Sequence, residues 1–295
     1  MLELSIALPA VINGVMAGAV YALVALGLTL IYGVLVQINF AHADIVTLGA
    51  FSSYFFMHGV GGGYIPSIAV ALVVGAALGF LINAAVFAPL RERGNELLPL
   101  IATIGVSVMM ENAMLAWFGP IPYAFDSPYS NDVFRFGGTF ITAQNALIVA
   151  VSAVAIGLLY AFMKFTFLGK ALRAVAQDRE TAGLMGINPN QLVMLTFVIA
   201  SALAGMAGAM LGPVLVLTPF AGTSVIVKAF AIVIIGGFGN FEGAILAGLL
   251  VGLIESFTTQ YLGPGMIDIV VFALLLMMLA IRPTGVIAEK REENV

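Results

Sequence analysis

From Ile45 to Leu90 the chain carries no Asp, Glu, Lys or Arg, a run of 46 residues, and from Thr181 to Val227 none again, a run of 47. About 20 apolar residues at 1.5 Å rise cross a hydrocarbon core, so each run is long enough to cross a bilayer twice. A soluble domain could not cover its surface with so few charges. The fold class that follows is an all-α polytopic membrane protein. We expect a bundle of about eight or nine transmembrane segments, some of them broken, with a short cytoplasmic helix, all in one domain over residues 1–295.

Composition narrows the chemistry. Charged residues make up 9% of the chain and the mean hydropathy is +1.12, against roughly 25% charged residues in soluble proteins. The net charge of −4 says less about partners than the placement of the charges does. With no cysteine there is no disulfide framework and no Cys-based metal or redox site. His42 and His58 are too few for a histidine metal cluster. Met-Leu-Glu-Leu lacks the basic start of a secretory signal, so the first apolar segment reads as an uncleaved helix.

Polar and Gly/Pro breaks divide the chain into nine apolar segments, near 9–34, 40–57, 65–88, 98–118, 143–163, 190–212, 223–237, 241–260 and 265–282. Nine of the eleven Lys and Arg residues fall in three groups: Arg91 and Arg93; Lys164, Lys170, Arg173 and Arg179; Arg282, Lys290 and Arg291. The positive-inside rule makes all three cytoplasmic if the N-terminus is outside, and nine crossings then leave the basic tail inside. Residues 119–142 become an outer loop.

The seventh segment is short for a full span. It is expected to break at Gly236-Gly237-Phe238-Gly239-Asn240 and return as the eighth. A similar break follows the first segment at Gln37-Ile38-Asn39. Phe40-Ala-His42-Ala-Asp44 aligns with Phe238-Gly-Asn240-Phe-Glu242, which suggests a diverged repeat built on broken helices. Small residues recur every fourth position at Gly14/Gly18, Gly75/Gly79, Ala204/Gly208/Gly212 and Ala244/Gly248/Gly252. Such rows serve close helix packing in a bundle.

Asp44, Glu111, Lys228, Glu242, Glu255 and Asp268 lie within apolar segments. A charge at the bilayer centre costs about 2.5–3.5 kcal/mol on insertion scales, so each must face the interior, a wet cavity or the interface. Asp44 and Glu242 follow Asn39 and Asn240, which read as N-caps, and helix starts favour negative charge. The competing reading is that these broken ends line a transport route, with His42 and Asn240 adding hydrogen bonds. Lys228 is expected to snorkel outward; Glu111 and Glu255 lie deeper and require polar partners.

The inward segment 164–191 reads as a helix from Lys170 through Met185 with Lys170, Arg173 and Gln177 on a polar stripe. Gly186 supplies its left-handed cap, and Asn188 or Pro189 opens the next helix. A short capped helix along the membrane either lies on lipid or docks another protein. Its acids Asp178 and Glu180 favour docking.

The chain has no G-x-x-x-x-G-K-[ST] loop and no Ser/His/Asp or HExxH arrangement, which argues against an ATP-binding P-loop and against a hydrolase. A lone Asn188-Pro189-Asn190 is half of what an aquaporin needs.

Gly18-x-x-Tyr21-Ala-Leu-x-Ala-Leu-Gly27-Leu-x-Leu-Ile-Tyr32-Gly33-Val34, then Ile38-Asn39-Phe40-Ala41-His42-x-Asp44, resembles the branched-chain amino acid ABC importer permeases. Arg173 through Asn188, Ile234 through Ala244, and Arg282-Pro283-x-Gly285 resemble later signatures of the same family. The match is nearly end to end and points to the shorter of its two membrane subunits. Ala43 departs from the Gly that often follows the His.

The resemblance implies a non-enzymatic permease subunit in a bacterial or archaeal cytoplasmic membrane, in contact with lipid and not with nucleic acid. Its partners would be a second similar permease, two cytoplasmic ABC ATPases and an extracytoplasmic substrate-binding protein. ATP and Mg would reside on the ATPases, with no cofactor in this chain. The coupling segment would comprise Arg173, Gln177, Asp178, Arg179, Glu180, Gly183 and Gly186; the route residues, Asn39, His42, Asp44, Glu111, Asn240 and Glu242. A passage poor in charge suits a net-neutral zwitterion such as Leu, Ile or Val, although relatives also handle amides, urea and other amino acids. From other classes, an ion-coupled secondary transporter using Glu111 or Asp44 would transport without ATP, and a passive channel would conduct without any energy source.

Overall fold

The computed structural model describes residues 2–91, 97–136, 139–282 and 285–286. Arg93, Pro283, Lys290 and Arg291 lie outside the described residues. All nine apolar segments are helical. In chain order the helices are α1 (Leu2–Leu35), α2 (His42–Gly59), α3 (Tyr64–Ile82), α4 (Ala88–Arg91), α5 (Leu97–Phe118), α6 (Ala143–Phe165), α7 (Phe167–Gln177), α8 (Arg179–Leu184), α9 (Pro189–Leu211), α10 (Ala221–Gly236), α11 (Phe241–Tyr261) and α12 (Ile267–Ile281). A π turn at Asn83–Phe87 joins α3 to α4, so Tyr64–Arg91 is one continuous rod.

Among the described residues seven helices, that rod counted once, are long and apolar enough to cross a membrane. The other two apolar segments are those beside the breaks. Helix α2 carries His42, Asp44 and His58 in 18 residues, and α10 has 16.

Helix α1 forms the centre, with 89% of its apolar window buried, whereas only 6% is buried in the window ending in α12. Around α1 stand α11, α9, α10 and α6, and α3 and α2 pack on α9. The small-residue rows meet one another inside the chain. A Cβ on Gly252 would strike the Gly18 backbone, and one on Gly18 would lie 2.8 Å from the Leu249 Cα. Gly75 and Gly79 likewise press on the backbone of Ser201 and Phe197. Lipid supplies no hydrophobic drive between helices, and backbone contact at small residues takes its place.

The two breaks lie side by side. Tyr32, near the end of α1, packs on Phe238, which lies between α10 and α11, with ring centroids 4.3 Å apart and planes tilted by 34°. Contacts cross between the pairs: α1 packs against α11, and α2 against α10. The segment after α12 joins this cluster: Val286 N–H donates to the Ile235 carbonyl at 2.8 Å. Lys164 and Arg173 border the second break, while Arg91 and Arg179 share Asn190. The basic groups at 91, 164–179 and 282 thus gather at one end of the bundle.

One expectation is corrected. The helix expected over Lys170–Met185 is two helices, because Asp178 adopts extended backbone and its carboxylate caps α8. Within the 119–142 loop, β1 (Val133–Phe136) and β2 (Thr139–Thr142) form an antiparallel hairpin, with Phe134 opposite Ile141 and Arg135 opposite Phe140.

Candidate functional site

Among the polar groupings that interrupt the apolar bundle, three hold charged residues read from the sequence. The first lies where α2, α5 and α10 meet. Asp44, in the first turn of α2, is 2% exposed and faces Ser107 and Glu111 of α5. Thr223 of α10 donates to Glu111 Oε1 at 3.1 Å. Helix α10 starts beside the first turns of α2, where Thr47 Oγ1 accepts the Gly222 N–H at 2.9 Å and so serves as a cap lent by another helix. Ser107 and Glu111 are half-buried; Thr223 and Ser224 are exposed. The result is a polar seam on an otherwise apolar side of the bundle, with a carboxylate buried behind it.

The second grouping joins α1, α10 and α11. Lys228 Nζ lies 2.7 Å from Glu255 Oε1 and donates to the Tyr21 hydroxyl at 3.2 Å; that hydroxyl donates to the same Glu255 oxygen. The expected outward snorkelling of Lys228 is therefore wrong: its side chain is 14% exposed and turns toward α11. An ammonium in a low-dielectric bundle gains more from a carboxylate at hydrogen-bond distance than from a partial route to water. Glu255 thereby gains the polar partner its depth required.

The third is a cavity of about 350 Å³ at the basic end, between the α6–α7 joint and the start of α11. Asn240 and Glu242 line it on one side, with Tyr160, Lys164 and Arg173 on another.

The residues read from the sequence as route candidates therefore occupy separate places. Asp44 and Glu111 share the seam. His42 is fully buried, its ring wedged against Gly27 of α1 near the Val24 carbonyl, without a hydrogen bond of good geometry. Asn39 is buried with neither amide atom bonded, so it is not the N-cap expected. Ala41 holds that position and has no side-chain cap. Asn240 does cap its helix, accepting the Gly243 N–H at 2.8 Å. The two breaks thus share a layout but not a capping chemistry.

The coupling candidates cluster on α7, α8 and the turn after them. Arg173 donates to the Met163 carbonyl. Asp178 accepts from the Glu180 and Thr181 amides at 2.9 and 3.0 Å and from the Thr181 hydroxyl at 2.5 Å. The Thr181 hydrogen bonds hold its carboxyl below the ordinary value. Arg179 donates to Asn190 Oδ1 at 2.6 Å, the atom that Arg91 also reaches at 3.0 Å. Gly186 has φ +84°, and the chain turns there as the sequence predicts. Asn188 then caps α9 through the Asn190 and Gln191 amides, with Pro189 at its first position. Asp178 and Arg179 are thus committed within the chain, which leaves Gln177, Glu180, Leu184 and Met185 presented outward. Leu184 is 88% exposed and Met185 78%.

Sequence reasoning missed Tyr21, Ser107, Thr223 and Asn190. Ser107 and Glu111 are four apart and share a helix face, a signal the sequence held. Nothing in the local sequence pairs Thr223 with Glu111 or Tyr21 with Glu255.

Comparison with known proteins places these features in context. Residues 10–279 match the family model described as branched-chain amino acid transport system / permease component. The chain is 34% identical to the high-affinity branched-chain amino acid transport system permease protein LivH of Escherichia coli (strain K12), over 96% of each chain. It is equally similar to the corresponding permease protein BraD of Pseudomonas aeruginosa, with 34% identity over 96% of each. A more distant relative is the permease protein LivM of Salmonella typhimurium, at 24% identity over 93% of this chain and 69% of that one. No solved structure matches the chain.

Proposed function

The chain belongs to the branched-chain amino acid transport permease family, and on that premise we propose that it is the shorter permease subunit of an ATP-driven importer for branched-chain or similar neutral amino acids. The observation that carries this reading is the seam of Ser107, Glu111, Thr223 and Ser224 with Asp44 behind it. Exposed hydroxyls and a half-buried carboxylate have no favourable place against lipid. They suit a wall of a passage that a second, similar permease closes from the other side. The relatedness of the chain to LivM supports such a pairing. Asn39 and His42 then act from behind the wall, as packed supports, while Asn240 and Glu242 stand apart from it, at the basic-end cavity.

That basic end faces the cytoplasm under the positive-inside rule, which leaves the N-terminus outside and the C-terminus inside. Two ABC ATPases carrying ATP and Mg dock there, and an extracytoplasmic binding protein delivers substrate at the other end. Gln177, Glu180, Leu184 and Met185 form the outward face of the α7–α8 unit, and the apolar pair is the knob a partner cleft receives. Gly183 and Gly186 keep its rear turn narrow. Arg179, held with Arg91 on Asn190, passes motion of α8 to α4 and α9 as a rigid body.

Reconstitution of the five-chain system in liposomes tests this. Leucine uptake should require ATP and the binding protein, and Glu111→Leu with Thr223→Val should abolish it. Leu184→Glu with Met185→Glu should leave the chain in the membrane but separate ATP hydrolysis from uptake. Uptake by the chain alone without ATP would instead support an ion-coupled carrier or a channel. Normal coupling in the Leu184/Met185 variant would remove the docking role.

A further inference from the structure

The cavity at the basic end has a composition that the passage itself does not need. One wall is aliphatic and aromatic, made by Leu26 of α1, Ile156, Leu159 and Met163 of α6, and Phe241 and Ile245 of α11. Its rim carries both signs of charge: Lys164 and Arg173 from the α6–α7 joint, and Glu242 from the first turn of α11. Glu242 has no hydrogen-bond or ion-pair partner among the described residues and stands exposed at the opening. Arg173 gives a guanidinium hydrogen to the Met163 carbonyl, which fixes its position and leaves other donors of its fork for a ligand. At about 350 Å³ the space falls at the small end of ligand sites, about 300–1,000 Å³.

Opposite charges at one rim and an apolar wall within reach are complementary to a zwitterion with an aliphatic side chain. We infer that this cavity is a second, cytoplasmic-side binding site for the transported class of amino acid, distinct from the α2–α5–α10 seam, and that its occupancy restrains the coupling unit. The carboxylate lies on Arg173 and Lys164, the ammonium on Glu242, and the branched side chain against Leu26, Ile156 and Ile245. Arg173 belongs to α7 and Glu242 to α11, so a bound zwitterion ties the coupling helix to the bundle. An ATPase that must move α7 to drive the cycle then works against that tie. Accumulated product slows its own import. The substrate class rests on the function proposed above; the location rests on the cavity alone.

The test uses the assembled complex without its soluble binding protein. L-leucine is titrated calorimetrically, and ATP hydrolysis is measured with and without it. The expected result is saturable binding and hydrolysis lowered by roughly fivefold or more, the lower end of ordinary coupling between sites. Isoamylamine, which lacks the carboxylate, should do neither. Glu242→Gln, a change at an exposed position that the fold tolerates, should weaken binding about tenfold or more, as loss of a charge-assisted hydrogen bond does. Ile156→Trp, which fills the cavity, should abolish both effects. Absence of leucine binding, or binding retained in both variants and lost in Glu111→Gln, would overturn the cavity site. Binding with unchanged hydrolysis would overturn the restraint. Uptake in liposomes with the binding protein present is scored separately: if leucine is imported while the cavity fails every arm, the function stands and only this inference falls.

Discussion

Lys228 illustrates how a single residue in a membrane bundle escapes a rule drawn from its own helix. It lies inside α10, at a position where an isolated helix would send its ammonium toward the interface. In the folded chain Glu255 and Tyr21 meet it first, and the Tyr21 ring also lies 5.3 Å below the ammonium. Both charged side chains are about 85% buried, so removing either leaves the other with the Tyr21 hydroxyl but no countercharge. Lys228→Met or Glu255→Met alone should lower stability by about 3 kcal/mol, the low end for broken buried pairs. The double variant Lys228→Met/Glu255→Met should recover most of it. A thermodynamic cycle on the purified subunit checks this. Additive losses would mean that the two charges do not support one another.

At the scale of the element, the most extensive helix packing among the described residues is between α1 and α11, and it depends on two glycines from each. Gly14 and Gly18 face Gly252 and Gly248, so each backbone fills the groove of the other. A methyl group at Gly252 has no room, because its neighbours are backbone atoms rather than flexible side-chain ends. Gly157, on α6, faces open space. Gly252→Ala should therefore destabilise the subunit by about 1–3 kcal/mol, as overpacking does. Gly157→Ala should be neutral or slightly stabilising, since alanine is the better helix former. The melting temperatures of the two variants measured side by side decide the matter; equal values would show that helix α11 can move away from α1 without loss. The short coupling elements follow a different logic. Helix α8 has six residues, and it persists because Asp178 starts it and Gly186 ends it.

For the whole molecule, the exposed faces of α5, α6 and α12 are apolar, while the seam beside α5 is not. Lipid suits the first, and a protein partner with matching polar groups suits the second. Gentle extraction followed by native mass measurement should find one copy of this chain with a second permease and two ATPases. A functional assembly with two copies of this chain and no second permease would show that the seam closes on itself.

The charge-free runs alone established that the chain crosses a membrane repeatedly, because the cost of exposing so much apolar surface to water is independent of how the helices later pack. The helix ends were legible too: Asn188-Pro189, Gly186 and Asn240 act through neighbours in sequence, and local chemistry settles them. Asn39 was misread because its alignment with Asn240 carried residue type but not backbone shape, and the chain before α2 turns differently, with Val36 at φ +56°. The break at Asp178 was missed because polar spacing alone does not separate one helix from two that share a cap. Partnerships across the bundle, Lys228 with Glu255 and Tyr21, Glu111 with Thr223, Gly18 with Gly248, join residues more than a hundred positions apart, save for the first pair. Only tertiary structure decides those, because a buried charge takes whichever partner the packing of distant helices delivers to it.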